Sequence, residues 1–211
     1  MHARTEQPTV VVIDDDDGVC EALCGLFQSV GLRTTCHGSV QEFVSAEPPA
    51  RPSCIVLDIR LPGRSGLEFQ ESLARNGARR PVVLISAHVD VPMTVRAMKA
   101  GAVDVLTKPV REQDLLEAVH RAVTLDADLM TQAERSASLC TRYATLTERE
   151  RQVMALVATG LLNKQIAARI DVTEATVKLH RGHVMRKMAA GSLPELVRMS
   201  DILGEAGSHK T

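Results

Sequence analysis

Side chains that bind metal ions and phosphate groups follow four separate apolar runs of the sequence. The runs cover residues 10–13, 54–57, 82–85 and 103–107, and the polar residues that follow them directly are Asp14 to Asp17, Asp58, Ser86 and Lys108. Because like charges this close repel one another, four adjacent aspartates predict a cationic partner. The carboxyl ends of parallel strands meet at one edge of a sheet, which is where such sheets place their sites.

The chemistry expected at this edge is phosphoryl transfer assisted by magnesium. Neighbouring strands lie about 5 Å apart, so Asp15 and Asp58 are predicted to share one ion. Hard oxygen ligands favour Mg²⁺, which takes one or two carboxylates together with phosphate oxygens. Asp58 is the candidate nucleophile, Lys108 supplies a point charge for the phosphoryl group, and Ser86 supplies a hydroxyl donor. Taken alone, adjacent acids after a strand also fit a structural role, and Asp16 or Asp17 is expected to cap the next helix.

The predicted strands and helices that position these groups alternate along the chain, as they do in a domain with a parallel sheet. Over residues 8–124, short apolar runs are separated by stretches with helical periodicity, which predicts five strands and five helices. This pattern indicates an α/β, flavodoxin-like (βα)5 domain. Its second strand is expected over residues 32–36 and its last helix over residues 112–123.

The remainder of the chain is predicted to be helical and more basic. Residues 125–145 are polar and rich in Ala and Ser, which indicates a partly helical linker, and residues 146–203 indicate a small all-α helix-turn-helix domain with a capping box at Thr147 and Glu150. Residues 146–199 carry nine Lys and Arg against five acids, whereas residues 8–124 carry twelve against fifteen. A basic surplus in the second part only favours nucleic-acid contact there. A helical pair used only for packing remains the alternative on this evidence.

The sequence also indicates where the protein is located and what its cysteines do. No apolar stretch approaches the ~20 residues of a membrane span, and the N-terminus lacks a signal-peptide core. We therefore expect a cytoplasmic protein without membrane contact. Its five cysteines contain no CxxC pair and are interpreted as small buried apolar residues. Cys20 and Cys24 share a predicted helix face, so a redox-active pair is the alternative.

The first domain resembles the receiver domain of two-component response regulators. The matching motifs are Asp14-Asp15, Asp58 with Leu61-Pro62-Gly63 and Gly66, Ser86-Ala87 and Lys108-Pro109. The resemblance implies that Asp58 accepts phosphate from a sensor histidine kinase. It also implies that Asp15, Asp58 and the backbone carbonyl of Arg60 bind Mg²⁺, with Asp14 assisting through water.

The same resemblance assigns the remaining residues of the edge. Ser86 and Lys108 would bind the phosphoryl group, Ala87 would leave it open to donor and water, and the Lys108–Pro109 peptide would be cis. One residue departs from the family pattern, because Val105 stands where most relatives carry an aromatic residue that turns inward on phosphorylation.

The C-terminal motifs resemble the LuxR-type DNA-binding domain. They are Leu146-Thr147 with Arg149-Glu150, Gly160-Leu161 with Asn163-Lys164 and Ile166-Ala167, and Thr176-Val177-Lys178 with His180. The pairing of the two domains looks most like FixJ-type members of the NarL/FixJ group. The resemblance implies that residues 173–188 form the recognition helix. Its major-groove residues would be Lys178, Leu179 and Arg181, and the residues nearer the DNA backbone would be Lys164, Thr176 and His180.

The sequence therefore predicts a phosphorylation-controlled transcription factor rather than an enzyme. By resemblance, its partners are a histidine kinase, double-stranded promoter DNA, a second copy of the chain after phosphorylation, and RNA polymerase. A phosphohydrolase of the haloacid-dehalogenase type is disfavoured because Asp58-Ile59-Arg60 lacks a second aspartate two residues on. The other alternative, motivated by Val105, is a DNA-binding or interaction module that works without phosphorylation, or a phosphate sink.

Overall fold

The computed structural model describes residues 7–47, 53–76 and 80–208, with side chains to residue 204. The chain divides into two compact units between Met130 and Thr131. Among the helices in these ranges, none combines the length and the apolar composition that a membrane crossing requires.

The first unit is a five-stranded parallel sheet with helices between its strands. The elements, in chain order, are β1 (Thr9–Ile13), α1 (Asp17–Ser29), β2 (Arg33–His37), α2 (Val40–Ser45), β3 (Ser53–Asp58), α3 (Gly66–Arg75), β4 (Val82–Ser86), α4 (Val91–Lys99), β5 (Ala102–Thr107) and α5 (Glu112–Ala144). The strand order is β2-β1-β3-β4-β5 and every pairing is parallel. The predicted flavodoxin-like fold is confirmed, although β2 lies one residue later than expected.

Both faces of the sheet are covered, which explains the continuous apolar runs. All residues of β1, β3 and β4 are buried. Successive side chains of a strand point to opposite faces: Val11 and Ile13 join one apolar cluster, and Val10 and Val12 join the other. Since the core fixes the three central strands in register, their carboxyl ends are held at one edge.

Two helices begin at this edge with aspartate caps. The Asp16 carboxylate accepts hydrogen bonds from the amides of Gly18 (2.8 Å) and Val19 (3.2 Å), so Asp16 is the predicted cap of α1. Asp90 caps α4 in the same way through the Met93 amide at 2.7 Å. These caps satisfy amides of the first turn and fix where each helix leaves its loop.

Helix α5 extends further than predicted, into the segment predicted as a partly helical linker. Helix α5 does not end at Val123 but continues through residues 125–144, the segment expected to be only partly helical. Residues 112–144 contain neither Gly nor Pro. The Ala, Glu, Gln, Arg, Leu and Met residues that made the segment look like a linker are also the best helix formers, and nothing interrupts them.

The second unit is a bundle of short helices. They are α6 (Glu148–Ala158), α7 (Asn163–Ile170), α8 (Glu174–Met188) and α9 (Leu193–Ser208), and the part of α5 from Thr131 on also belongs to this unit. The predicted capping box of Thr147 and Glu150 is present, and Thr173 caps α8. Their common core includes Val153, Ile166 and Val184. The helix-turn-helix pair is therefore α7 and α8.

The cysteines are less uniformly buried than expected. Cys20 and Cys54 are buried, as predicted, but Cys24 and Cys36 are half-buried and Cys140 is exposed. Cys140 lies in the extended part of α5 that was expected to be a linker, and Cys36 lies on β2, the edge strand of the sheet. The interpretation as buried apolar residues is wrong for these three.

Candidate functional site

The acidic edge of the sheet has an internal cation. Lys108, which follows β5, places its Nζ 2.8 Å from Asp14 Oδ2 and 2.5 Å from Asp58 Oδ2. Asp14 and Asp58 are only 1% and 6% exposed. The structure thus brings together groups from the ends of β1, β3 and β5. Lys108 is a cationic partner of the acidic residues at this edge.

The charges of this cluster stabilise one another. Burial lowers the pKa of Lys108, but its contacts with Asp14 and Asp58 outweigh burial and raise that pKa overall. Lys108 therefore remains an ammonium ion at neutral pH. Its positive charge offsets part of the repulsion between two buried carboxylates.

Three carboxylates of this edge fit a magnesium ion. One oxygen each of Asp14, Asp15 and Asp58 lies within 4.8 Å of the others. Asp15 is exposed whereas Asp14 and Asp58 are buried, so the cluster opens to solvent on one side. An all-oxygen set with access to water is what Mg²⁺ prefers, since it keeps several waters when bound. The Arg60 amide donates to Asp58 Oδ1 at 2.8 Å, while the predicted role of the Arg60 carbonyl stays a prediction.

Ser86 lies at the same edge but is hydrogen-bonded within its own loop. Its hydroxyl, which is fully buried, donates to the His88 carbonyl at 3.0 Å. Its carbonyl accepts from the Lys108 amide at 2.8 Å, which ties β4 to the residue after β5. Ala87, the next residue, is exposed. The Lys108–Pro109 peptide is cis, as the resemblance implies.

Gly66 has a structural role that the sequence motif did not reveal. A Cβ atom on this residue would lie 2.1 Å from the Asp58 carbonyl oxygen. The Gly66 amide donates to the Ile59 carbonyl at 3.0 Å, so the start of α3 sits directly on the end of β3. The residue is glycine because the backbone that carries Asp58 leaves no room for a side chain.

Val105 occupies an aliphatic position on β5. It pairs with Leu84 of β4 and packs, partly buried, against the cluster that contains Leu57 and Leu84. An aliphatic side chain of this size has no ring that could rotate between an outer and an inner position.

The second unit presents a basic surface on α7 and α8. Lys164 and Lys178 are exposed, and Leu179 is 58% exposed although it is a large apolar side chain. Arg181 is half-buried and donates to Asn163 Oδ1 at 2.5 Å, which joins α8 to the start of α7. Lys178 and Leu179 thus lie on an open face, whereas Arg181 is hydrogen-bonded to a neighbouring helix. Their contacts with DNA stay predictions.

The other two residues predicted to contact DNA, Thr176 and His180, are both half-buried. Thr176 is half-buried and shares a hydrogen bond of 2.8 Å between its hydroxyl and that of Thr173. His180 is half-buried, and its buried Nδ1 has no hydrogen-bond partner among the described residues. Thr176 thus contacts the N-cap residue of α8, whereas His180 lies in the middle of α8, near Glu150 and His183.

A buried acid, which the sequence showed only as part of a cap, holds α6 against α8. Glu150 Oε2 accepts from Lys187 Nζ at 2.6 Å and from the Thr147 amide at 2.8 Å, and Oε1 lies 3.5 Å from His183 Nδ1. The Lys187 contact, reinforced by Thr147, lowers the pKa of Glu150 to about 2. This carboxylate links Glu150 of α6 to Lys187 of α8, which are 37 residues apart in sequence, and thereby positions α8.

Comparison with known proteins matches both units. The family described as response regulator receiver domain matches residues 10–120, and that described as bacterial regulatory proteins, luxR family, matches residues 144–200. Nodulation protein W of Bradyrhizobium diazoefficiens is 49% identical over 200 residues, which cover 95% of this chain and 88% of that protein.

Two further comparisons extend over nearly the whole chain. The transcriptional regulatory protein FixJ of Azorhizobium caulinodans is 43% identical over 201 residues, 95% of each chain. The solved structure of the response regulator StyR superposes with a TM-score of 0.81 at 42% identity, covering 92% of this chain and 98% of that one.

Proposed function

Because the chain belongs to the two-component response regulators that join a receiver domain to a LuxR-type DNA-binding domain, we propose that phosphorylation of Asp58 by a sensor histidine kinase controls how it binds promoter DNA. It is thus a transcription regulator, and the phosphate control is the proposed step. The observation that carries the proposal is the position of Lys108 Nζ between the Asp14 and Asp58 carboxylates.

Asp58 has the contacts expected of a phosphoryl acceptor. An oxygen of its carboxylate attacks the phosphorus of a phosphohistidine, the new O–P bond forms, and the N–P bond to the donor breaks. The Arg60 amide holds Asp58 Oδ1 at 2.8 Å, which orients the carboxylate. Lys108 contacts the Asp58 carboxylate before the transfer and is positioned to contact the negatively charged phosphoryl oxygens after it. Asp14, Asp15 and Asp58 would hold a Mg²⁺ ion that offsets further charge on those oxygens.

Ser86 is the proposed link between the phosphoryl group and the rest of the receiver. Its hydroxyl leaves the His88 carbonyl and donates to a phosphoryl oxygen instead, which pulls the loop after β4 toward the acidic edge. That loop leads into α4, whose exposed apolar side chains are Val91 (77%), Val95 (46%) and Met98 (47%). We propose that this face, with β5 and the start of α5, forms a homodimer after phosphorylation.

Dimerisation would act on DNA through effective concentration. Two helix-turn-helix units on adjacent half-sites bind more tightly than one, because the second contact becomes intramolecular. Lys164 supplies a phosphate contact, whereas Lys178 supplies a polar contact to a base edge and Leu179, with its large exposed surface, an apolar one. RNA polymerase is the expected further partner at the promoter.

A second candidate function is a DNA-binding or interaction module that works without phosphorylation, or a phosphate sink. Val105 favours it, because the receiver lacks an aromatic ring at a position that packs against the β4 side of the core. Under this alternative, phosphorylation of Asp58 leaves the oligomeric state unchanged. We do not propose an enzymatic activity.

The deciding experiment combines phosphorylation with mass measurement. Purified full-length protein is incubated with Mg²⁺ and acetyl phosphate and then examined by native mass spectrometry. We expect one added phosphoryl group and a shift toward dimer. Asp58→Asn should show neither, whereas Asp17→Asn, which removes an exposed acid of the same run, should behave like the wild type. A phosphorylated monomer would favour the second candidate, and phosphate-dependent DNA affinity that survives in Asp58→Asn would refute the mechanism.

The DNA surface is tested by salt dependence. Each phosphate contact contributes about 0.9 to the slope of log K against log salt concentration. Lys164→Ala should therefore lower that slope by about 1 on any duplex, whereas Arg33→Ala, at an exposed position on β2 of the receiver, should not change it. Equal slopes for the two variants would remove α7 from the proposed interface.

A further inference from the structure

Three of the five cysteines lie together where α1 packs against β2, and the proposed function uses none of them. Cys24 Sγ on α1 is 2.8 Å from Cys36 Sγ on β2. Cys36 Sγ also lies 3.8 Å from the Cys20 carbonyl and donates to it. The sequence alternative paired Cys20 with Cys24 on one helix face, but the structure directs the Cys20 thiol to the Asp14 carbonyl at 3.5 Å instead.

We propose that Cys24 and Cys36 form a reversible intramolecular disulfide when the protein meets a hydroperoxide or a low-molecular-weight disulfide. The two sulfurs must approach by less than 1 Å from their present separation to reach the bonded distance of about 2.05 Å. Both residues are half-buried, so small oxidants reach them. By contrast, Cys54 is buried inside β3, and Cys140 lies on α5 in the second unit without a cysteine partner among the described residues.

The oxidation balances with a hydroperoxide as two-electron acceptor. The Cys24 thiol gives up its proton and its sulfur attacks one peroxide oxygen, which breaks the O–O bond and forms a sulfenic acid, and the released oxygen takes up a proton to leave as an alcohol or water. Cys36 then attacks the Cys24 sulfur, its proton leaves with the displaced hydroxyl as water, and the S–S bond forms. The Cys36 thiol donates to the Cys20 carbonyl, which keeps its proton in place, so the first attack is assigned to Cys24. A dithiol reductant reverses the reaction.

The disulfide would tie the edge strand to the helix beside the acidic cluster. Cys36 lies opposite Val12 in the β1–β2 pairing. The next residue, His37, accepts a hydrogen bond from the Asp14 amide at 3.1 Å through its carbonyl. Oxidation therefore restrains β2, which has a neighbouring strand on one side only, close to the first residue of the acid run. Slower amide exchange across β2 is the expected physical consequence.

Glutathione titration tests the pairing directly. Reduced full-length protein is equilibrated under argon with rising ratios of oxidised to reduced glutathione, quenched in acid, and alkylated with N-ethylmaleimide. At the oxidising end we expect Cys24 and Cys36 to lose their label with the loss of two hydrogens, and any bound glutathione to lie on the exposed Cys140. Trypsin cleaves after Arg33, which separates Cys20 and Cys24 from Cys36, so the disulfide appears as a joined pair of peptides.

Variants assign the sulfurs and control for folding. Cys24→Ser and Cys36→Ser should each abolish the joined peptides, whereas Cys20→Ser and Cys140→Ser should retain them, with far-UV circular dichroism confirming that all four variants fold. A dithiol should restore all five labels. The proposal is overturned if Cys24 and Cys36 each carry glutathione without joining, if both remain alkylated at the most oxidising ratio, or if the disulfide joins Cys20 to Cys24.

Discussion

Substitution of Gly66 by alanine should damage the receiver through a single atom. The added Cβ would stand 2.1 Å from the Asp58 carbonyl oxygen and 3.0 Å from Leu57 Cγ. An ordinary carbon–oxygen contact is about 3.3 Å, so the start of α3 and the end of β3 must separate by roughly 1.2 Å. Both are backbone elements, and Leu57 is fully buried, so no flexible side chain can absorb the shift.

The expected cost follows from two opposing terms. Overpacking of this kind costs about 1–3 kcal/mol, and a backbone clash belongs at the upper end. Alanine recovers up to about 1 kcal/mol of helix propensity. We therefore expect a net loss of about 2 kcal/mol in the unfolding free energy of the first unit, which is roughly a 30-fold change in its unfolding equilibrium.

Amide hydrogen exchange resolved by mass spectrometry measures this loss unit by unit. Peptides from β1 and β3 should exchange roughly 30-fold faster in Gly66→Ala if they open with the whole unit, whereas peptides from α8 should be unchanged. Gly25→Ala is the matched control: Gly25 lies within α1, and its added Cβ would meet nothing within 4 Å. This control should slow exchange in the same peptides by up to about fivefold. If Gly66→Ala exchanges at the wild-type rate or more slowly, the close approach of α3 to Asp58 is wrong.

Three further substitutions test contacts elsewhere. Glu150→Gln should destabilise the second unit by about 1–3 kcal/mol in urea unfolding. The Lys187 contact lowers the pKa of Glu150 to about 2, so the ionised Glu150 contributes its full share to the unfolding free energy above the unfolded pKa near 4.3 and loses it as pH falls toward 2. The difference in unfolding free energy between the wild type and Glu150→Gln should therefore shrink across that range. Asp126→Ala should cost about 1–3 kcal/mol in the first unit, measured by β3 exchange, because it removes the 2.6 Å acceptor of the buried Ser53 amide; an unchanged rate would contradict this. Gly182→Ala, in open space on α8, should stabilise the second unit by up to about 1 kcal/mol, and a lower unfolding midpoint would contradict the described helix surface.

The sequence predicted most of the first unit because its physical signals are strong and local. Buried parallel strands require apolar runs on both faces, and a polar residue ends each run, so β1, β3 and β4 were visible directly. Helix α5 was mispredicted for the opposite reason. Its later half buries fewer side chains, so its composition resembled a linker, although its intrinsic helix propensity was high and no Gly or Pro interrupted it.

Site residues were predictable to the extent that topology alone brings them together. Once strands are parallel, Asp14, Asp58 and Lys108 must meet at one edge, although they are separated by up to 94 residues. Contacts that depend on how a helix is rotated cannot be predicted in this way. Whether Lys187 reaches Glu150, or Cys24 reaches Cys36, depends on the angle at which the helix packs on its neighbour. That angle is set by the complementarity of many buried side chains, which a linear pattern of apolar residues does not contain. The functional groups at strand ends can therefore be predicted from a sequence of this kind. The contact partners of side chains on helices can be identified only from the packed structure.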